Sequence, residues 1–170
     1  MLHKQDGREE LKTKNFLLLF SSLDVSNDDI SILKPIYEEI SNYDQYKFVW
    51  IPIEDQWTDD MQKKFEMLQS KMPPWCIVHK FSFQLGIKYI KEEWQFKDKP
   101  IVVVMNSQGI VEHPNALPMI TISGKKAFPF TSEKEQELSN EVNWFGNLII
   151  PIIPKENEEV LNSVRLFSKI

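Results

Sequence analysis

The run Asn15-Phe16-Leu17-Leu18-Leu19-Phe20, closed by Ser21-Ser22, is almost continuously apolar. A strand wetted on one side alternates apolar with polar residues, whereas a continuous run belongs to a strand covered on both faces. Such a strand needs helices packed on each side of its sheet, and the next segment supplies one. Ser26 and Asp29 have the spacing of a capping box, in which each side chain satisfies a free amide at the helix start. Ile30, Leu33, Ile36, Tyr37 and Ile40 then recur at helical spacing. Pro35 falls inside this helix and is expected to kink it, because it removes one backbone bond and crowds the preceding turn.

The same logic carries down the chain. Lys47–Ile53 is rich in β-branched and aromatic residues and reads as a second strand. Thr58 can cap the following helix, with Asp59 and Asp60 complementing its positive end. Met61, Phe65, Leu68 and Met72 form the apolar stripe of that helix, and Pro73-Pro74 stops it. A short helix is predicted over Phe83–Glu93, with Phe83, Ile87, Ile90 and Trp94 on one side. Ile101–Met105 and Ile110–Glu112 are joined by Asn106-Ser107-Gln108-Gly109, a connection so short that the pair must be an antiparallel hairpin, with Gly109 at a positive-φ position. Ser132 and Glu135 repeat the capping-box spacing ahead of a long helix carrying Leu138, Val142, Phe145 and Ile149 on its buried side. The order β-α-β-α-(α)-β-β-α describes one α/β domain, a mixed sheet covered by helices.

Composition sets the function classes. The 170 residues, 42% hydrophobic and with eleven Phe and five Trp, suffice for one core. A net charge of −5 without a Lys/Arg cluster argues against a nucleic-acid partner, which needs a basic face to neutralise phosphates. No apolar run approaches the ~20 residues of a membrane span, and the charged start lacks the apolar stretch of a secretory signal. The single cysteine, Cys76, fits a reducing compartment, so a soluble cytoplasmic protein is expected.

Several stretches together carry a resemblance. Glu54-Asp55, Lys71-Met72-Pro73-Pro74-Trp75 and Lys99-Pro100-Ile101-Val102-Val103 look like the tryparedoxin and nucleoredoxin branch of the thioredoxin fold. Leu17–Ser26, Val49–Trp57, Glu92–Ile101, Gln108–Val111, Asn115–Leu117 and Ala127–Ser132 together resemble the sieve element occlusion family, the phloem proteins that include the forisome subunits of legumes. The resemblance spans about residues 15–150 and implies a thioredoxin-like domain, a mixed sheet flanked by helices. It divides the chain into a polar lead or linker remnant at 1–14, the domain at 15–150 and a divergent tail at 151–170.

Redox members of the tryparedoxin branch carry Trp-Cys-Pro-Pro-Cys after the first strand. Here that junction reads Ser22-Leu23-Asp24-Val25-Ser26-Asn27-Asp28-Asp29, and one cysteine cannot close an intrachain disulfide. The resemblance therefore implies a non-enzymatic building block of the protein bodies that occlude sieve tubes on wounding, assembling with homologous subunits in the sieve element cytoplasm. Calcium acts on such assemblies in legumes, with no calcium site located in this chain. It also implies a cis bond before Pro100, which here is expected to serve packing. The alternatives are a thiol-disulfide or monothiol oxidoreductase using Cys76, and a redox-inactive adaptor that binds peptides near Pro100.

The residues assign no catalytic, cofactor-binding or metal site. Cys76, between Trp75 and Ile77, reads as a small apolar filler. Asp24-x-Ser26-x-Asp28 invites a calcium reading, but an EF-hand loop needs Gly at its sixth position and Glu at its twelfth, and this chain has Asp29 and Pro35. Glu54-Asp55 and Asp59-Asp60 read as solvated helix starts. His3, His79 and His113 are too scattered for zinc. Trp57 and Ala127-Phe128-Pro129-Phe130 fit no core period, which leaves an exposed aromatic patch or a packed loop.

Overall fold

A computed structural model of the chain describes residues 13–149 apart from 55, 73–76, 79–83 and 98. Most of the expected lead and tail, and with them Cys76 and His79, lie outside the described residues. The elements are β1 (Asn15–Ser21), α1 (Asn27–Ile40), β2 (Tyr46–Pro52), α2 (Asp59–Lys71), β3 (Ile77–Val78), α3 (Gln84–Glu93), β4 (Ile101–Met105), β5 (Val111–His113), α4 (Leu117–Ser123) and α5 (Ser132–Ile149), with a 3-10 turn at Gly124–Ala127. The five strands form one sheet in the order β3-β2-β1-β4-β5. β1 runs parallel to β2 and antiparallel to β4, so the sheet is mixed.

The apolar run of β1 behaves as its composition demands. Leu17 and Leu19 point into one core with Phe48, Trp50, Val102 and Val104 from the neighbouring strands. Against this face pack Leu33, Ile36, Tyr37 and Ile40 of α1, Phe65 and Leu68 of α2, and Met119 and Ile120 of α4. The alternate residues Phe20, Val49, Ile51, Ile101 and Val103 face the other way, onto Ile87 and Ile90 of α3 and onto Phe96. Side chains alternate across a strand, so central strands feeding two cores show no polar beat.

Local signals hold at several points. Thr58 caps α2, its Oγ1 accepting from Met61 N at 3.3 Å. α1 begins directly after Ser26 and includes Pro35, which stands on its exposed side. Gly109 turns the β4–β5 hairpin at φ 80°.

Two elements carry no sequence pattern, and two expectations for α5 are corrected. The two-residue strand β3 is one such element, since Ile77–Val78 is too short to show a period. α4 and its 3-10 extension are the other, because Leu117-Pro118-Met119-Ile120-Thr121-Ile122-Ser123 has no helical stripe. Their detectable signals are Pro118 in the first turn and Gly124 at the C-cap, at φ 54°. Ser132 is not the cap of α5: Thr131 Oγ1 accepts from Lys134 N at 3.3 Å, while Ser132 Oγ donates to Glu112 O at 2.8 Å. Val142 is exposed on α5 rather than buried.

Candidate functional site

In open α/β sheets ligand sites form beyond the carboxyl ends of the parallel strands, here the ends of β1 and β2. Six contacts hold this junction closed. The Trp50 indole Nε1 donates to Ser21 Oγ at 2.9 Å in the interior. Ile53 N donates to Ser21 O at 2.8 Å, and Leu23 N to the Glu54 carboxylate at 2.6 Å. Asp24 N is turned onto Ser22 Oγ at 3.2 Å, and the Asp24 carboxylate is paired with Lys64 of α2. Phe65 stacks against Trp50 from below, with ring centroids 5.7 Å apart.

These contacts say what the junction can do. Ser21 is fully buried with its oxygen taken by an indole, an arrangement that offers no nucleophile to a substrate. Asp24, the first residue of the calcium-like pattern, is committed to a lysine. Asp60 faces Lys63 at 3.9 Å in open solvent. Among the described residues, no three His, Cys, Asp or Glu side chains gather where they could hold a metal.

Pro100 directly precedes β4, and the cis X-Pro bond among the described residues is Phe128–Pro129, not the one before Pro100. Pro100 instead lies on an open groove of about 960 Å³, lined by Ile101, Leu117 and the exposed Ile122 together with Lys97 and Lys99. Beside it, Asn115 belongs to a part-buried polar network. Asn115 Oδ1 accepts from Val102 N and from Leu117 N, each at 3.2 Å, joining β4 to the start of α4. Asn115 N in turn donates to His113 Nδ1 at 3.0 Å, and His113 Nε2 lies 3.0 Å from Glu135 of α5. In the sequence His113 shows only as a histidine too isolated for zinc; its partners lie on elements whose approach no local pattern encodes.

The aromatic patch is packed. Phe128 stacks on Tyr43 at 4.9 Å and meets Tyr46 edge-on, Phe130 is fully buried, and Trp57 packs edge-on against Phe65. Burial raises the Tyr46 hydroxyl above its ordinary pKa, aided by the nearby Glu112 charge, while a hydrogen bond with Asn15 opposes it.

A mixed sheet between helices, with serine and aspartate where the first helix would present thiols, defines a thioredoxin-like domain without a thiol pair. Solved structures agree on the fold: tryparedoxin from Trypanosoma brucei superposes with a TM-score of 0.59 at 16% identity, covering 73% of this chain and 84% of that one. A thioredoxin from Wuchereria bancrofti gives 0.53 at 23% identity, covering 80% and 85%. No protein-family model matches the sequence. Three Arabidopsis thaliana proteins do: SIEVE ELEMENT OCCLUSION B at 36% identity over 156 residues, A at 32% over 139, and C at 31% over 159. These alignments take in 82%, 81% and 86% of this chain. The chain belongs with the sieve element occlusion family, as a relative of one segment of its members. It spans about a fifth of the length of those relatives, covering 21%, 17% and 23% of them.

Proposed function

We propose that this domain is a non-enzymatic structural part of the phloem protein bodies that occlude sieve elements on wounding, packing against homologous subunits in the sieve element cytoplasm. The observation that carries this reading is the sealed junction after β1. Ser21, Glu54 and Lys64 spend their polar groups on holding the fold together at the place where a dithiol would work. The kinship with proteins named for sieve element occlusion supports it. So does the lack, among the described residues, of a helix long and apolar enough to cross a membrane.

Two measurements test it. Insulin reduction by the chain and by Cys76→Ser should be equal and negligible; turnover that depends on Cys76 would establish an oxidoreductase instead. Light scattering of the purified chain, or of a longer protein that contains it, with and without calcium, should report assembly. Proteins that stay monomeric in both conditions would remove the structural role.

A further inference from the structure

We propose that His113 is a proton-operated latch behind Asn115, a residue of the Pro100 groove. The ring is 5% exposed and both of its nitrogens are engaged. A backbone amide can only donate, so Asn115 N–H fixes Nδ1 as an acceptor, and the neutral ring carries its proton on Nε2, donated to Glu135. A second proton can enter only at Nδ1, where it meets the Asn115 N–H head-on. Protonation therefore tightens one contact and abolishes the other: the bond to Glu135 becomes charge-assisted, and Asn115 loses its acceptor.

The released residue belongs to the groove. Asn115 fastens Val102 of β4 to Leu117 of α4 through its side-chain oxygen, and both Asn115 and Leu117 line the groove. Acidification is expected to loosen Asn115 at its backbone amide and draw the ring toward Glu135, while Ala116 N, donating to Val102 O at 2.7 Å, keeps α4 on β4. Charged groups approach His113 from α5 and from β5. From α5 the facing carboxylate is Glu135, while the adjacent Lys134 ammonium is bonded to Glu137 at 2.6 Å. From β4 the residue paired with His113 is the apolar Val104. The Glu112 carboxylate of β5 accepts from Asn106 at 3.3 Å, and α4 has no ionisable side chain.

The test follows the ring nitrogens of His113 and the backbone amides of the full chain by NMR, from pH 8 down to about 5. The Nδ1 resonance should move to its protonated position. The amides of Asn115, Leu117 and Val102 should shift with the same midpoint. Exchange at Asn115, corrected for its intrinsic pH dependence, should speed up by about tenfold or more as its bond is lost. In His113→Gln, which cannot titrate, the three amides should stay in place across the range. Amides that move without the ring, a ring that stays neutral throughout, or pH-dependent shifts that persist in His113→Gln would each overturn the latch. If that variant does not fold, the shared midpoint in the unaltered chain decides alone.

Discussion

The indole Nε1 of Trp50 donates to Ser21 Oγ across 2.9 Å, with both residues fully buried. This bond joins the ends of β2 and β1 at the point where the fold could otherwise have opened a reactive site. Its worth follows from the cost of breaking it on one side only. Ser21→Ala strands an indole N–H in the core and should destabilise the chain by about 1–3 kcal/mol. Removing both partners should cost less than the sum of the single changes. A double-mutant cycle of Ser21→Ala and Trp50→Phe, read by urea unfolding, should give a coupling of about 1 kcal/mol.

Glu54 holds the turn after β1 from the opposite side, with its carboxylate on Leu23 N at 2.6 Å. Hydrogen bonds to a charged acceptor are stronger than neutral ones. Glu54→Ala should therefore destabilise by about 1.5–3 kcal/mol in denaturant unfolding, and Glu54→Gln, which keeps an acceptor oxygen, by less.

Lys64 and Asp24 meet at the surface, where ion pairs contribute little. Lys64→Ala should lower stability by less than about 1 kcal/mol, and the difference from the parent should shrink in high salt. Thermal melts at low and high ionic strength measure both.

Tyr46 gives the chain an alkaline limit. Its folded pKa is raised, chiefly by burial, so the native state holds the phenolic proton more tightly than the unfolded chain does. The stabilisation is complete below the unfolded value of about 10 and is lost as pH rises through the folded one. Stability measured by denaturant should fall through that window. Tyr46→Phe should flatten the fall while leaving the profile between pH 6 and about 9 unchanged in shape.

Gly109 sits at φ 80° with nothing within 4 Å of the position a Cβ would take. Any cost of Gly109→Ala is then conformational and not steric, and should come to about 1–2 kcal/mol. Asn106 Oδ1, which accepts from Gln108 N and Ile110 N at 3.0 Å, keeps the turn formed in the variant. Unfolding midpoints of the two proteins check the figure.

Much of this architecture is legible in the chain because it depends on neighbours in sequence. The helical spacing of Leu33, Ile36, Tyr37 and Ile40, the Thr58 cap and the Gly109 turn are each decided within a few residues. Where local signals competed, the outcome went elsewhere. Ser132 and Glu135 have capping-box spacing, yet the fold brings Glu112 O to one and His113 to the other, and Thr131 takes the cap. Val142 keeps the helical period of a buried residue but stands exposed.

By itself the sequence settled that β1, β2 and β4 lie inside a mixed sheet under helices and that a single cysteine cannot form an intrachain thiol pair, because apolar periodicity and residue count are properties of the chain alone. The tertiary structure decided what fills the place of that pair and what backs the Pro100 groove. Ser21 with Trp50, Leu23 with Glu54 and His113 with Glu135 are 29, 31 and 22 residues apart, and they meet only through strand register and helix docking. Those are set by the packing of two whole cores, which no short stretch of sequence specifies.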